Sequence, residues 1–305
     1  MLEQFYQNKR NILKESQKFF SNSNSSTLKI GCELEFFLLQ QNSQNVANQG
    51  LVEEFISEIE NDLTNKFPLI YKIEKERGES QVEIKTLFTA DLLRVGEELE
   101  GAKNFIKNFA QTKNLTASFA AQPFLDDCGS ALQFNISLHG KDDKNLFESD
   151  ANILKNSANS LLQATDLMMI FLAPKAEDYA RFSFEINRTL FKKGKFTAPV
   201  NLSFGGDNRT CAIRIPTLVK GSKYGKRLEF RIAAADADFF LAAAAILLAF
   251  KNEESNLLQI HGNAFDEQYR LKQFCGSLKE ARGSFEKEGN FIRKGFLGFC
   301  SGNGL

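Results

Sequence analysis

The sequence contains little of what usually marks a zinc protein, a membrane protein or a nucleic-acid-binding protein. It has no tryptophan, two histidines and five scattered cysteines without a CxxC pair. We therefore expect free, reduced thiols rather than a disulfide framework or a zinc site. The 38 lysine and arginine residues balance the 38 aspartate and glutamate residues. The net charge therefore gives no reason to expect nucleic acid or an anionic membrane as the main partner.

Long hydrophobic runs are also missing. The longest nearly apolar stretch, FFLAAAAILLAF at 239–250, is shorter than the ~20 residues that cross a bilayer, and the N-terminus is too charged for a signal peptide. We predict a buried core helix there, capped by Asp236 or Asp238. The expected protein is cytoplasmic, and its expected partners are small molecules.

Helical and strand patterns mix along the 305 residues without strict βαβ alternation. This mixture predicts an α+β fold around an antiparallel sheet. The predicted helices lie near 1–20, 51–65, 90–113, 148–173 and 239–250. The main predicted strands lie near 28–39, 69–76, 80–88 and 131–140, with three more between 198 and 233. A polar SNSNSS segment predicts a boundary, which divides the chain into an N-terminal helix with its linker, 1–28, and one domain, 29–305.

Polar side chains recur at every second position of four predicted strands, and such residues share one face of a strand. They are Glu33 and Glu35; Gln81, Glu83 and Lys85; Gln133, Asn135, Ser137 and His139; and Arg227, Glu229 and Arg231. A solvated sheet face explains any one of these pairs. The combination of acids with arginines instead favours a concave site, because carboxylates bind Mg²⁺ and arginine forks pair with phosphate.

Six segments resemble the catalytic domain of glutamine synthetases in order and approximate spacing: CELEFF, EKERGESQVEI, DDCGSALQFNISL, APKAEDYARF, APVNLSFGGDNRTCAIRIP and KRLEFRIAAADADFFLAAAAILLAF. The resemblance runs from about residue 29 to near the C-terminus and is most specific at NRTCAIRIP and KRLEFR. It implies a curved antiparallel sheet that forms an active-site funnel flanked by helices, an architecture shared with guanido kinases.

The resemblance also implies a reaction and a set of residues. ATP, with two Mg²⁺ or Mn²⁺ ions, would phosphorylate a glutamate carboxylate, and an amine would then displace the phosphate. The implied metal ligands are Glu33, Glu35, Glu76, Glu83, Gln133 and Glu229. The implied ATP contacts are Asn135, Ser137, Arg209, Arg214 and Arg227. Gly129, Arg181 and Arg231 match substrate-binding positions, and Arg209, Arg231 and Thr197 match positions at the reacting groups.

Four departures from the family pattern accompany this resemblance. Gln133 occupies the position of a histidine ligand, which leaves a neutral and weaker donor. Thr197 occupies the position of a catalytic glutamate, within a long basic loop at 182–198 where Glu185 is the nearest acidic replacement. The family's N-terminal β-grasp domain has no counterpart here, so the standard ring cannot be assumed, although a homo-oligomer is possible. The aromatic residue that grips the nucleotide is not identifiable.

Three functional hypotheses follow. The first is an ATP- and Mg²⁺/Mn²⁺-dependent ligase that makes glutamine or another γ-glutamyl amide. The second is an impaired pseudoenzyme that binds nucleotide, glutamate or a full-length synthetase and acts as a regulatory partner. The third, guanidino phosphorylation or glutamate–cysteine ligation, is disfavoured by NRTCAIRIP. Within that segment Arg209 and Arg214 are five residues apart, so Arg209 must lie in a turn or a bulge must intervene, and the preceding GGDN favours the turn.

Overall fold

One sheet organises the chain, whose computed structural model describes residues 1–41, 45–195, 197–218, 225–250 and 259–302. The strands within these ranges are β1 (Thr27–Gln40), β2 (Ile70–Lys75), β3 (Gln81–Thr86), β4 (Leu115–Ser118), β5 (Leu132–His139), β6 (Phe204–Gly206), β7 (Ile213–Ile215) and β8 (Leu228–Phe230). Their order is β2-β3-β1-β5-β8-β7-β6, with β4 also paired to β1. The α+β fold is confirmed, and the pairing is antiparallel except for the parallel pair β6 and β7.

Helices flank the sheet. They are α1 (Leu2–Gln7), α2 (Lys9–Asn24), α3 (Gln49–Lys66), α4 (Leu92–Thr112), α5 (Leu146–Ser149), α6 (Ala151–Leu172), α7 (Phe184–Lys192), α8 (Phe239–Ala249), α9 (Leu278–Glu286) and α10 (Phe291–Ser301). Short 3₁₀ helices span Glu177–Phe182 and Glu267–Tyr269. No helix of the described ranges is long and apolar enough to cross a membrane.

The apolar helix α8 is buried along its whole length, as predicted. Of the two predicted caps the structure selects Asp238, whose side chain accepts a hydrogen bond from the Leu241 N–H at 3.2 Å. This bond satisfies one of the free amides at the helix start.

The N-terminal segment differs from its prediction. Two helices replace the single one expected, and α2 continues to Asn24, so most of SNSNSS is helical rather than a linker. Only Ser25 and Ser26 separate α2 from β1, and Ser25 has a left-handed φ of 51°. Burial of Ile12, Leu13 and Phe20 explains the extension, because tertiary packing overrides the weak helix propensity of serine and asparagine.

The central strands alternate as the sequence predicts. On one face Glu33 lies opposite both Lys85 and Gln133, and Glu35 lies opposite Glu83. The side chains between them, such as Leu34 and Phe134, point to the other face and are fully buried in the core. The register therefore gathers the predicted polar residues of three strands on one side of the sheet.

The predicted basic loop at 182–198 is partly helical, which corrects that interpretation; Phe196 lies outside the described residues. Ser183 caps α7 by accepting from the Ile186 N–H at 3.4 Å. Within α7 the Asn187 side chain donates to the Arg181 carbonyl at 2.7 Å and accepts from the Ala198 N–H at 2.7 Å. The buried amide thereby ties both ends of the segment together.

Candidate active site

Eight of the predicted site residues line one small cavity on the polar face of the sheet. They are Glu35, Glu76, Gly129, Gln133, Arg181, Thr197, Arg209 and Arg231, joined by Arg77, Gln81, Cys128 and Ala198. The free volume is about 30 Å³, close to the share of one water molecule.

A second groove of similar size lies on the same face and is lined by Glu33, Lys85, Asn135 and Arg227 among others. Asn135 links two of them: its Nδ2 donates to Glu33 Oε1 at 3.0 Å, and its Oδ1 accepts from Arg227 Nε at 2.9 Å. Ser137 lines neither space, and its Oγ lies 3.1 Å from His139 Nε2. A nucleotide role for Ser137 stays a prediction.

Buried carboxylates crowd together at the centre of the polar face. Glu35 accepts from the Ala131 N–H at 2.8 Å and from Gln133 Nε2 at 2.6 Å. Its pKa is nonetheless raised, because burial disfavours the charge more than the nearby Arg181 favours it, and because Glu76 adds repulsion. Burial, reinforced by Glu33 and Glu35, also raises the pKa of Glu83. Such crowding favours the uptake of a cation.

Two of the predicted metal ligands already have basic partners. Glu83 Oε2 lies 2.9 Å from Lys85 Nζ, which also lies 2.7 Å from Glu74. Glu229 accepts a hydrogen bond from Arg214 Nη1, and its second oxygen lies 3.2 Å from Arg231 Nε, whose N–H is not aligned for a hydrogen bond. Within the described ranges, no group of three or more histidine, cysteine or acidic side chains has an arrangement that could hold a metal ion.

The donor chemistry therefore differs between the two ends of the site. At one end Glu35 and Glu76 face the cavity, and the hydrogen bonds that Glu35 accepts come from uncharged groups, which include Gln81 at 3.3 Å. These two carboxylates are oxygen ligands of the kind that a hard divalent ion takes, but Arg77, Arg181, Arg209 and Arg231 line the same cavity. At the other end Glu229 is held by two arginines, and the neutral Gln133 gives its amide N–H₂ to Glu35, so the residues present do not fit a second ion there.

The two arginines of the NRTCAIRIP segment lie where the predicted turn before the strand would place them. Arg209 occupies the turn before β7, is exposed and lines the cavity. Arg214 lies on β7, and its Nε and Nη2 donate to Asp207 Oδ1 at 2.8 and 2.6 Å. The turn, rather than a bulge, allows two arginines at odd spacing to approach the same face of the sheet.

The remaining substrate-side residues are packed closely. Arg181 is buried and donates to the Arg231 and Ile232 carbonyls at 3.0 and 2.9 Å, and burial lowers its pKa to about 10. A Cβ on Gly129 would lie 2.8 Å from the Ala121 carbonyl oxygen and 2.9 Å from Arg181 Cγ. Thr197 is buried, and its carbonyl accepts from Arg231 Nη2 at 3.4 Å. Position 129 therefore requires glycine for steric reasons.

The largest cavities lie elsewhere. One cavity of about 450 Å³ is lined by residues that include Lys103, Asp236, Phe240 and Leu132. Leu132 precedes Gln133 on β5, and neighbouring residues of a strand point to opposite faces. The cavity therefore lies behind the sheet. Volume alone does not locate the chemistry, because the charged groups of the polar face close around one another.

The fold and this arrangement can be compared with known proteins. Residues 7–299 match the family described as glutamine synthetase, catalytic domain. The chain belongs to the glutamine synthetase family. It is 27% identical over 201 residues to gamma-glutamylputrescine synthetase PuuA of Escherichia coli strain K12, covering 63% of this chain and 40% of that protein. It is 30% identical over 219 residues to a glutamine synthetase of Pseudomonas taetrolens, covering 67% and 44%.

These relatives are longer proteins. The chain spans less than half the length of the curated relatives that it matches. Two solved structures share its fold: a GmaS/ADP complex with a TM-score of 0.78 and 20% identity, and apo GmaS with a TM-score of 0.79 and 21% identity. Each alignment covers 97% of this chain and 72% of the other chain.

Sequence reasoning gave no role to three residues that organise the site. Lys85 and Gln81 share the strand face of Glu83, and this spacing was visible in the sequence. Gln81 Nε2 donates to the Gly129 carbonyl at 3.1 Å. Asp207, which orients Arg214, lies in the turn after two glycines. It is not part of an alternating strand pattern, so the sequence did not single it out. Glu185 is exposed on α7 and is not among the residues that line the cavity.

Proposed function

We propose that this chain is an ATP-dependent carboxylate–amine ligase that makes glutamine or another γ-glutamyl amide through a γ-glutamyl phosphate. The observation that supports the proposal most strongly is the buried meeting of carboxylates and arginines on one sheet face, in a chain of the glutamine synthetase family. Unpaired charges are costly to bury, so a face of this kind favours anionic substrates together with a cation.

The arginines divide between the nucleotide and the amino acid. Arg209, Arg214 and Arg227 are proposed to hold the ATP phosphates, because planar guanidinium groups pair well with phosphate oxygens. Arg209 is exposed in its turn and can move toward a phosphate. A divalent ion at Glu35 and Glu76, when bound, would supply positive charge to the transferring phosphoryl group.

The substrate carboxylates are assigned to the deeper part of the cavity. Arg181 and the backbone at Gly129 are proposed to hold the amino acid, with Arg231 next to its γ-carboxylate. Arg231 is fixed by the Arg209 and Cys211 carbonyls, so its charge is in place before the substrate arrives. Such preorganisation is the main source of electrostatic catalysis.

Thr197 offers a hydroxyl where a carboxylate would accept a proton from ammonium. We propose that the acceptor enters as a free amine or loses its proton to another group. The names of two relatives, a gamma-glutamylputrescine synthetase and glutamine synthetases, show that both an amine and ammonia need to be tested.

Phosphate release from ATP tests the proposal. Purified protein with Mg²⁺ and glutamate is assayed with ammonium, methylamine and putrescine, and product is identified by mass spectrometry. Release that requires both glutamate and an amine is the expected result. Arg231→Lys, which keeps the charge but loses the fork, is expected to lower kcat at least ~100-fold, as for a lost transition-state donor.

A regulatory role is the second candidate, favoured by the ion pairs that hold Glu83 and Glu229. Nucleotide binding without turnover by any amine, together with recovery of a full-length synthetase in a pull-down, would favour it. The absence of both turnover and nucleotide binding would contradict the ligase.

A further inference from the structure

Asp127 is a buried carboxylate that has no part in the reaction proposed above. It directly precedes Cys128 and Gly129, which line the cavity, and it is itself only 6% exposed. Its Oδ2 accepts from the Glu79 N–H at 2.9 Å, and its Oδ1 accepts from Lys195 Nζ at 3.0 Å. Burial of a carboxylate is costly unless its oxygens are hydrogen-bonded, so both partners stabilise this charge.

The partners of Asp127 belong to two other segments that reach the cavity. Glu79 lies in the loop between β2 and β3, and this loop carries the cavity-lining Arg77. Lys195 follows α7 and precedes the cavity-lining Thr197 by two residues. Together with its own loop, Asp127 therefore joins three cavity-lining segments that are distant along the chain.

The electrostatics of Asp127 agree with this geometry. Burial alone would raise the pKa of the carboxyl group, but hydrogen bonds from the Glu79 and Cys128 N–H groups and from Lys195 lower that pKa below its ordinary value. The carboxylate is therefore charged at neutral pH, and hydrogen bonds to a charged acceptor are stronger than those between neutral groups. Lys195 also donates to the Asp126 carbonyl at 2.9 Å, so it has two acceptors on the same loop.

The loop that contains Asp127 has a second tie to the β2–β3 hairpin. Gln81, on β3, donates from its Nε2 to the Gly129 carbonyl at 3.1 Å. Within the loop Gln122 Nε2 donates to the Asp127 carbonyl at 2.9 Å. The ties at Asp127 and Gly129 lie on either side of Cys128, so the loop cannot turn about one contact without breaking the other.

We propose that Asp127 is a positioning residue, which holds the segments of Arg77, Gly129 and Thr197 in register and so maintains the amino-acid side of the cavity. The inference deepens the proposed ligase and rests on that function for its catalytic meaning. A displacement of about 1 Å in a substrate-holding group can cost ~100-fold in rate. The arginines assigned to the ATP phosphates lie on other segments, so the loss of Asp127 should weaken glutamate binding much more than nucleotide binding.

Hydrogen–deuterium exchange of the full chain tests these contacts without any turnover. In Asp127→Ala we expect peptides that cover 76–81 and 128–131 to exchange at least tenfold faster than in the wild type, while β5 keeps its rate. Asp127→Asn keeps an oxygen that can accept from Glu79 but loses the charge that pairs with Lys195. It should therefore loosen the peptide that contains Lys195 and leave 76–81 unchanged.

Asp126→Asn is the matched control. Asp126 is the preceding residue, is exposed, and its carboxylate makes no hydrogen bond or ion pair within the described ranges. The variant loses the same charge, yet it should exchange like the wild type. Wild-type exchange in Asp127→Ala, or equal effects of the changes at 126 and 127, would overturn the proposal.

Isothermal titration separates positioning from a general loss of structure. Asp127→Ala should weaken glutamate at least tenfold in the presence of Mg²⁺ and a non-hydrolysable ATP analogue, and should leave the Kd of the analogue within twofold of the wild type. Equal losses for both ligands, or unchanged glutamate affinity, would overturn the proposal.

Phosphate release on the same preparations distinguishes this inference from the proposed function. A wild type that binds glutamate without amine-dependent release would reject the ligase and keep the role of Asp127, provided that Asp127→Ala shows the expected changes. Release by the wild type together with unchanged exchange in Asp127→Ala would do the reverse. A wild type that binds no glutamate would overturn both.

Discussion

The two faces of the central strands are both largely buried but chemically opposite. On the helix side Leu34 and Phe134 have no exposed surface, and on the other side Gln133 and Asn135, which flank Phe134 in the sequence, are only 7% and 3% exposed. A solvated sheet face would leave the polar residues open to water. The polar face is therefore a network of buried polar groups in which each charge needs a partner, and this burial distinguishes it from a solvated sheet face.

Substitutions on the two faces should have different consequences. Loss of an apolar side chain removes burial and leaves a cavity, so it lowers stability. Loss of a polar side chain removes a partner from the network in which we propose that ligands bind. Substitutions on the apolar face should therefore act on the free energy of unfolding, and substitutions on the polar face should act on binding and turnover.

The largest effect is expected from Phe134→Ala. Phe134 is fully buried and stacks on Phe239, with ring centroids 5.6 Å apart, so the truncation should cost about 3–5 kcal/mol of unfolding free energy. Urea denaturation measures it. The matched control is Asn135→Ala, one residue away on the other face. Compared with Phe134→Ala, it should lower the unfolding free energy less and weaken nucleotide binding more. An equal stability loss in both variants would remove the distinction between the faces.

A pH effect is expected from a carboxyl pair outside the polar cavity. Asp178 is buried, and burial together with Asp236 raises its pKa from 3.8 to about 7. Because the folded pKa lies above the unfolded one, this group's contribution to stability is present below about pH 4 and is lost as the pH rises to about 7. Lys175 pairs with Asp236 at 2.6 Å and offsets part of the repulsion.

Asp178→Asn should remove this pH dependence, because the amide can donate to Asp236 and its oxygen can still accept from the Lys175 N–H, now 2.8 Å away. We expect the variant to be more stable than the wild type at pH 8 by roughly 2 kcal/mol and close to it at pH 4.5. Urea unfolding at both values measures this. A wild type whose relative stability rises with pH would contradict the assignment.

Arg209→Gln should act on binding alone. Arg209 is exposed in its turn, so unfolding free energy should change by less than ~0.5 kcal/mol, while loss of a phosphate contact should weaken a non-hydrolysable ATP analogue about tenfold, equal to ~1.4 kcal/mol. Isothermal titration with Mg²⁺ measures the affinity. Unchanged affinity would exclude Arg209 from the nucleotide site.

The smallest effect is expected from Glu185→Gln. Glu185 is exposed on α7 and is not among the residues that line the cavity. The variant's kcat should therefore stay within twofold of the wild type, and its unfolding free energy should change by less than ~0.5 kcal/mol. A large loss of kcat in the steady-state assay would show that this acid does replace the missing carboxylate at Thr197.

The alternation of β1 and β5 could be predicted from the sequence because a strand's period is local. Glu33, Glu35, Gln133 and Asn135 reach the same face as predicted. The pairing of β6 with β7 and the helix α7 depend on contacts between distant segments, which period alone does not encode. The resemblance supplied the identity of the acids, but it could not show that Lys85 and Arg214 hold Glu83 and Glu229. Those pairs depend on side-chain geometry.

The most direct test is a crystal structure with a non-hydrolysable ATP analogue and Mn²⁺. The proposed function predicts phosphate density on the polar face, between Arg209 and Arg214, with manganese near Glu35 and Glu76. Nucleotide bound behind the sheet, in the cavity beside Lys103, or no nucleotide at all at saturating concentration, would contradict the claim that the buried polar face is the active site.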